Sequence, residues 1–345
     1  MNQFNYAQLY TKVTKGISPR IKDIFERRFG VFSGQPKTLE AIGDKFGITR
    51  ERVRQIEEAG FNFIKKNHFP VIEKVFKEFE SYFANHGGFK KEEIALADLG
   101  GKKQQSHVRF FLAIGGERFF RVAAKKDYHY FLTTLPNGQK QITQTLANLV
   151  SDIKNYGKLI TKDELVVNFA SNHNLNEKTV TSFLEISKKI EFNKEGKLGL
   201  VDWPEIRPRG VKDKAFLVFK KHQKPLHFRK ITELIDQLEY NNENQKAHAQ
   251  TVHNELIKDS RFVLVGRGTY ALAEWGYVPG TIKDVIVRLL KEKQSSMHQD
   301  EIVKAVLAQR LVAKNTVMIN LNNKNSFQKT LDGKYALKEN EVELA

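Results

Sequence analysis

Residues 38–57 read TLEAIGDKFGITRERVRQIE, and their spacing predicts two helices joined by a tight turn. Thr38 and Thr49 each stand directly before a helical pattern, which is the place that an N-cap residue takes. Gly47, between the two patterns, tolerates the left-handed backbone that a tight turn needs. A short helix over residues 39–46, followed by a longer one, predicts a helix-turn-helix.

The second of these helices has two chemically different faces when its residues are placed about 100° apart. One face is apolar and is expected to pack on the preceding helices, whereas the other carries Arg50, Glu51, Arg54, Gln55 and Glu58. In a helix-turn-helix, the first residues of this helix enter the major groove of DNA. There Arg pairs with guanine, Gln pairs with adenine and Glu accepts a hydrogen bond from cytosine. The pattern therefore predicts a DNA-reading face, and a solvated charged face on an ordinary helix is the alternative.

The same string of residues resembles region 4 of the bacterial sigma-70 family. The resemblance is carried by residues 38–43, 46–49 and 50–57 and by the upstream sequence FERRFG at residues 25–30, and it covers residues 18–66. It implies binding to double-stranded, promoter-like DNA. The contacts that we predict come from Thr38, Thr49, Arg50, Glu51, Arg52, Arg54 and Gln55.

A complete sigma factor needs a second region that grips core RNA polymerase and captures unstacked bases. The 37 residues before Thr38 are too few to form that region. The resemblance therefore leads us to expect DNA reading rather than promoter melting.

The charge of the chain favours a polyanionic partner. Over 345 residues the formal net charge is +17, which is typical of proteins that bind nucleic acid or an anionic membrane surface, although a merely soluble basic protein is the alternative. No apolar run approaches the roughly 18 residues of a membrane span, so we expect no membrane partner. The chain has no cysteine, which excludes disulfides and thiolate metal sites and fits a cytoplasmic location.

A weak repeat follows the predicted helix-turn-helix. A short hinge recurs at residues 87–89, 157–160, 224–227 and 295–298. When the hinges are aligned on Phe89, Ile160, Leu226 and Met297, the steps are 71, 66 and 71 residues. An amphipathic helix precedes each hinge, two more follow it, and each repeat then ends in a predicted hairpin, at residues 118–133, 190–201, 262–273 and 327–337. Three helices and a hairpin predict a winged helix, and a generic α+β repeat is the alternative.

The third repeat resembles the HARE-type helix-turn-helix. The resemblance is carried by KPLHFRKI at residues 224–231 and by VGRGTYAL at residues 265–272, and residues 297–337 look like a degenerate copy. This winged module is shared by the delta subunit of bacterial RNA polymerase and by some chromatin and restriction proteins. The resemblance therefore implies an association with DNA or with the transcription machinery.

The first repeat carries the most basic third helix. Lys102, Lys103 and Arg109 lie in or beside it, whereas the corresponding helices of the later repeats carry little charge. Because DNA binding requires neutralisation of phosphates, we predict a second DNA contact in the first repeat and protein contacts in the others.

The predicted fold class is mainly α with small β-hairpins, an N-terminal helix-turn-helix being followed by tandem winged-helix-like domains. Turn-forming and proline-rich segments place the domain boundaries. The predicted domains are residues 1–68, 69–138, 139–203, 211–278 and 281–340.

The sequence indicates a binding protein rather than an enzyme, without cofactor or metal. Four histidines at positions 222, 227, 248 and 253 lack the carboxylate or thiolate partners that a metal site needs, and no phosphate-binding loop or nucleophile elbow is present. The favoured function is a DNA-binding transcription factor that also contacts core RNA polymerase. The alternatives are a delta-like polymerase accessory subunit and the DNA-recognition component of a restriction or repair system.

Overall fold

The computed structural model describes residues 4–238 and 246–338. The chain divides into two units, Met1–Asp202 and Trp203–Ala345, and each is described by itself. The predicted segments 1–68, 211–278 and 281–340 each include some residues outside the described ranges.

The N-terminal helices form the predicted helix-turn-helix. They are α1 (Tyr6–Val13), α2 (Pro19–Phe29), α3 (Leu39–Phe46) and α4 (Arg50–Ala84). Helix α4 continues far beyond Lys66, but its backbone leaves helical geometry at His68 and the helix contains Pro70. Proline lacks the N–H of the helical ladder and clashes with the preceding turn, so α4 bends where the predicted boundary between residues 68 and 69 falls.

Four repeats of three helices and a hairpin follow, as the sequence predicts. The first contains β1 (Phe89–Lys91), α5 (Glu92–Gly100), α6 (Gln105–Gly115), β2 (Phe120–Val122) and β3 (Phe131–Thr133), and its leading helix is the second half of α4. The second contains α7 (Gly138–Tyr156), α8 (Lys162–His173), α9 (Glu177–Ile186), β4 (Ile190–Phe192) and β5 (Leu198–Leu200).

The second unit of the chain contains the other two repeats. The third repeat contains α10 (Gly210–His222), β6 (Leu226–His227), α11 (Phe228–Asp236), α12 (Ala249–Lys258), β7 (Phe262–Gly266) and β8 (Thr269–Leu272). The fourth contains α13 (Ile282–Lys293), α14 (Gln299–Gln309), α15 (Lys314–Leu321), β9 (Phe327–Lys329) and β10 (Tyr335–Leu337).

The hinges have one structural role in all four repeats. Each aligned hinge residue pairs antiparallel with the second strand of its own hairpin, the pairs being Phe89 with Thr133, Ile160 with Leu198, Leu226 with Tyr270 and Met297 with Tyr335. This pairing adds a third, very short strand to each wing, and it explains why an apolar residue recurs at the aligned position. The predicted tandem winged-helix-like organisation is confirmed.

A single hydrophobic core joins the helix-turn-helix to the first repeat. It contains buried residues from α1, α2, α4, α5, α6 and β3. The ring of Phe110, on α6, is fully buried and lies 4.8 Å from Tyr10, 5.2 Å from Phe25 and 5.5 Å from Phe29, measured between ring centroids. The apolar face of the N-terminal helices is therefore covered within the chain itself.

The second repeat packs through α9 on β1 of the first. Lys90 is 4% exposed and its Nζ lies 2.8 Å from Oε2 of Glu185 on α9, while the rings of Phe89 and Phe183 lie 5.4 Å apart. After Lys178, no residue of α9 is exposed. The third helices of the first two repeats are thus both covered by their neighbours.

In the second unit, the third helix of each repeat buries one face and leaves the other open. On α12, Val252 and Leu256 are buried whereas Ile257 is 63% exposed. On α15, Val317 is buried whereas Ile319 is 73% exposed. The two repeats meet elsewhere, since the N–H of Leu311 donates to the carbonyl of Val265 at 2.7 Å.

Candidate nucleic-acid interface

The helix-turn-helix is fixed by a small core of its own. Ile24, Ile42 and Val53, one from each of α2, α3 and α4, are all buried together. Gly43 allows α3 to approach the turn closely, because a Cβ at this position would lie 2.5 Å from the carbonyl oxygen of Ile48. Gly47 has a φ of 63°, the left-handed conformation that glycine adopts without strain. The start of α4 is therefore held at a defined angle to α3.

Two threonine hydroxyls begin the two helices of the motif. Oγ1 of Thr38 accepts a hydrogen bond from the N–H of Ala41 at 3.1 Å, and Oγ1 of Thr49 accepts one from the N–H of Arg52 at 3.2 Å. Both predicted caps are confirmed. Each remaining free N–H group at the start of a helix attracts anions, so the two exposed threonines lie where a phosphate would be stabilised.

The predicted base-reading residues lie together on one exposed surface. This surface, here called the α4 face, is formed in the first turns of α4 by Arg50, Glu51, Arg52, Arg54 and Gln55, all of which are exposed. Val53, between them in sequence, is fully buried. The helix therefore presents its polar side to solvent while its apolar side is held in the core, as its sequence periodicity predicts.

Ion pairs order the α4 face. Arg54 donates to both carboxylate oxygens of Glu51, with a shortest distance of 2.7 Å, and lies 3.1 Å from Glu58. The hydrogen bonds from Arg54 hold the pKa of Glu51 below its usual range, so this carboxylate is an acceptor only. The guanidinium of Arg52 donates to Oε1 of Gln55 at 3.1 Å. These exposed contacts are weak and can be exchanged for contacts to a partner.

Arg50 differs from its neighbours. Within the described ranges, its guanidinium has no hydrogen bond or ion-pair partner. Its five donors are therefore available without the loss of an existing contact.

Two exposed lysines border the motif and were missed by sequence reasoning. Lys37 directly precedes the capping Thr38, and Lys45 lies in the last turn of α3 beside Gly47. Their position beside a helix start and a tight turn was visible in the sequence. Cations in such positions are candidates for contacts to phosphates.

The structure separates the three basic residues predicted in the first repeat. Lys102 and Lys103 are exposed in the turn before α6, whereas every residue of α6 itself is buried or half-buried. The side chain of Arg109 on that helix is 30% exposed and its Nε lies 4.0 Å from Oε1 of Glu92. Helix α6 thus has no exposed residue that could reach a base edge, and Arg109 faces Glu92 instead of solvent.

Aromatic stacking fixes the start of the third repeat. The ring of Phe228 lies 4.6 Å from the rings of both His227 and His253, measured between centroids. Two of the four neighbouring histidines in the sequence therefore take part in ring packing. In the part of the chain that the structure describes, no group of three or more His, Cys, Asp or Glu residues is placed to hold a metal ion.

Comparison with known families agrees with this geometry. Residues 15–66 match the family model of sigma-70 region 4. Residues 209–275 match the HARE-HTH model, a helix-turn-helix domain whose description names ASXL and restriction endonuclease. Both resemblances predicted from the sequence are confirmed.

The similar curated proteins are RNA polymerase sigma factors. The sigma factor SigA of Nostoc sp. is 43% identical over 68 residues, which are 20% of this chain and 17% of that protein. The sigma factor SigA1 of Synechococcus elongatus is 40% identical over 67 residues, 19% of this chain and 16% of that protein. The sigma factor sigB of Arabidopsis thaliana is 44% identical over 54 residues, 16% of this chain and 9% of that protein. The chain therefore spans less than a fifth of the length of these relatives.

Proposed function

We propose that this chain is a DNA-binding transcription factor that reads promoter-like duplex DNA with the α4 face. The observation that carries the proposal is the presentation of that face. Arg50, Glu51, Arg54 and Gln55 are all exposed at the start of a helix whose opposite side is locked into a core. Arg and Gln side chains so held can each make two hydrogen bonds to one base edge.

Phosphate contacts hold the motif on the duplex in this proposal. Thr38 and Thr49 stand at helix starts, and Lys37 and Lys45 lie beside them. Lys102 and Lys103 supply the second contact from the first repeat in place of the half-buried Arg109. Such contacts release counterions, so the affinity should fall steeply with salt.

The winged repeats divide their roles in the same proposal. Helices α6 and α9 support the N-terminal unit, because both are covered. Helices α12 and α15 keep one face exposed, and we assign to them the contacts with core RNA polymerase or with further DNA. A protein with these partners acts in the cytoplasm. In described residues 4–238 and 246–338, no helix is long and apolar enough to cross a membrane.

The HARE-HTH match favours a second candidate function. The exposed part of α12 carries Thr251, Asn254 and Ile257 with a single cation, Lys258, which suits a protein partner better than a phosphate backbone. A delta-like accessory subunit would use this surface on the polymerase and the helix-turn-helix as a tether. The description of the matched model also names restriction endonuclease, which keeps a DNA-recognition component of a restriction system among the candidates.

Binding-site selection with the full chain separates these functions. The wild-type protein should enrich a defined duplex motif. R50A and Q55A should each relax the preference at one position, because a two-bond base contact contributes about 1–3 kcal/mol of discrimination. K162A, which removes an exposed cation from α8, serves as the control and should select the wild-type motif. An unchanged motif in both R50A and Q55A would contradict base reading by the α4 face. Recovery of core polymerase without any DNA preference would favour the accessory subunit.

A further inference from the structure

A cavity of about 280 Å³ lies between the helix-turn-helix and the first repeat. Arg28, Phe29 and Pro36 line it from the motif, and residues of α5, α6 and the wing line it from the repeat. Much of its wall is apolar, including Leu96, Leu112, Phe119 and Leu132. A volume near 300 Å³ is at the small end of the range for ligand sites.

The cavity is lined by more positive than negative charge. Its charged residues are Arg28, Arg109, Arg121 and Glu92. Glu92 is neutralised by Arg121, which donates to its two carboxylate oxygens at 2.8 Å each. Two guanidinium groups, those of Arg28 and Arg109, therefore remain at the cavity after this pairing.

Neither of these two guanidinium groups has its hydrogen bonds completed. Nε of Arg28 is buried without an acceptor and lies 3.6 Å from Glu57. Within the described chain, Arg109 makes no hydrogen bond, and its closest carboxylate contact is 4.0 Å long. A half-buried cation that lacks acceptors is costly unless another anion supplies them. In agreement, burial lowers the pKa of Arg109, and the charge of nearby Arg121 lowers it further.

We propose that this cavity binds a small amphipathic organic anion, a carboxylate with an aromatic or branched apolar body. The carboxylate accepts two parallel hydrogen bonds from Arg109, the geometry that suits a guanidinium, and the apolar body occupies the space between Phe29, Leu112 and Phe119. The walls come from both the motif and the first repeat, so the bound ligand contacts both. The inference does not depend on the proposed DNA binding.

Calorimetric titration of the full chain tests the charge and the shape requirements separately. The probes are benzoate and 1-naphthoate as amphipathic anions, benzamide as a neutral compound of the same shape, and inorganic phosphate as an anion without an apolar body. We expect the carboxylates to bind at least about tenfold more tightly than benzamide or phosphate, a ratio that corresponds to about 1.4 kcal/mol. Equal binding of benzoate and benzamide would overturn the role of Arg109, and tighter binding of phosphate would overturn the apolar body.

Three variants locate the binding site. R109Q removes the cation, and A113M fills the cavity from its wall without a change of charge. Both should weaken benzoate binding by about tenfold or more. K103Q removes an exposed cation outside the cavity and should bind as the wild type does. If R109Q fails to fold, A113M still decides the matter. Wild-type affinity in A113M, or no carboxylate binding by the wild-type protein, would refute the proposal.

Discussion

Replacement of Phe110 by alanine tests whether the helix-turn-helix and the first repeat share one core. The side chain is fully buried on α6, and its ring contacts Tyr10, Phe25 and Phe29 on the two N-terminal helices. Two independently folded domains would not depend on each other through this residue. In the structure, the loss of one ring opens a cavity between them.

The expected destabilisation is about 3–5 kcal/mol, the range for truncation of a buried phenylalanine to alanine. The upper part of this range applies, because the three edge-to-face ring contacts add to the loss of buried area. Every 1.4 kcal/mol is a factor of ten in an equilibrium constant. Opening of the shared core should therefore become roughly a hundredfold to a few thousandfold more frequent.

Amide hydrogen exchange of the full chain, resolved by segment, measures this effect. Residues 19–29, 50–66 and 105–115 should lose protection together in F110A, because α2, α4 and α6 bury the same ring. F32A is the matched control, since Phe32 is 75% exposed in the same unit and its loss should change stability by less than about 0.5 kcal/mol. Unchanged protection of α2 alongside weakened protection of α6 would refute the shared core.

Two further substitutions test contacts inside the N-terminal unit. K90M should destabilise it by about 3 kcal/mol in urea unfolding, the low end for breaking a buried ion pair, since Glu185 is 23% exposed; the double variant K90M/E185M should recover most of the loss, and equal losses in both would argue against an uncompensated carboxylate. G60A should lower the melting temperature, because its Cβ would lie 2.5 Å from Cζ of Phe25 and overpacking costs about 1–3 kcal/mol. A59S, one residue earlier and exposed, should melt close to the wild type, and a G60A protein as stable as A59S would show that α2 and α4 pack less closely than described.

The sequence by itself determined the local elements and their register. Thr38 and Thr49 act as caps and Gly47 as the turn, because capping and left-handed backbone depend on a few neighbouring residues. The recurrence of Phe89, Ile160, Leu226 and Met297 found the strand that completes each wing. The exposed α4 face followed from helical periodicity alone, since that period separates the buried from the solvated residues.

Only the tertiary structure decided what each apolar face packs against. Periodicity shows that α6 and α9 are largely apolar, but any apolar surface of the right shape can cover them, since hydrophobic burial is not directional. The helix that looked like a second basic DNA contact is enclosed by the N-terminal helices, with Phe110 in their core and Arg109 at a cavity beside Glu92. The continuation of α4 through Pro70 and the convergence of Arg28 with Arg109 likewise depend on residues far apart in sequence, which meet only when the chain has folded.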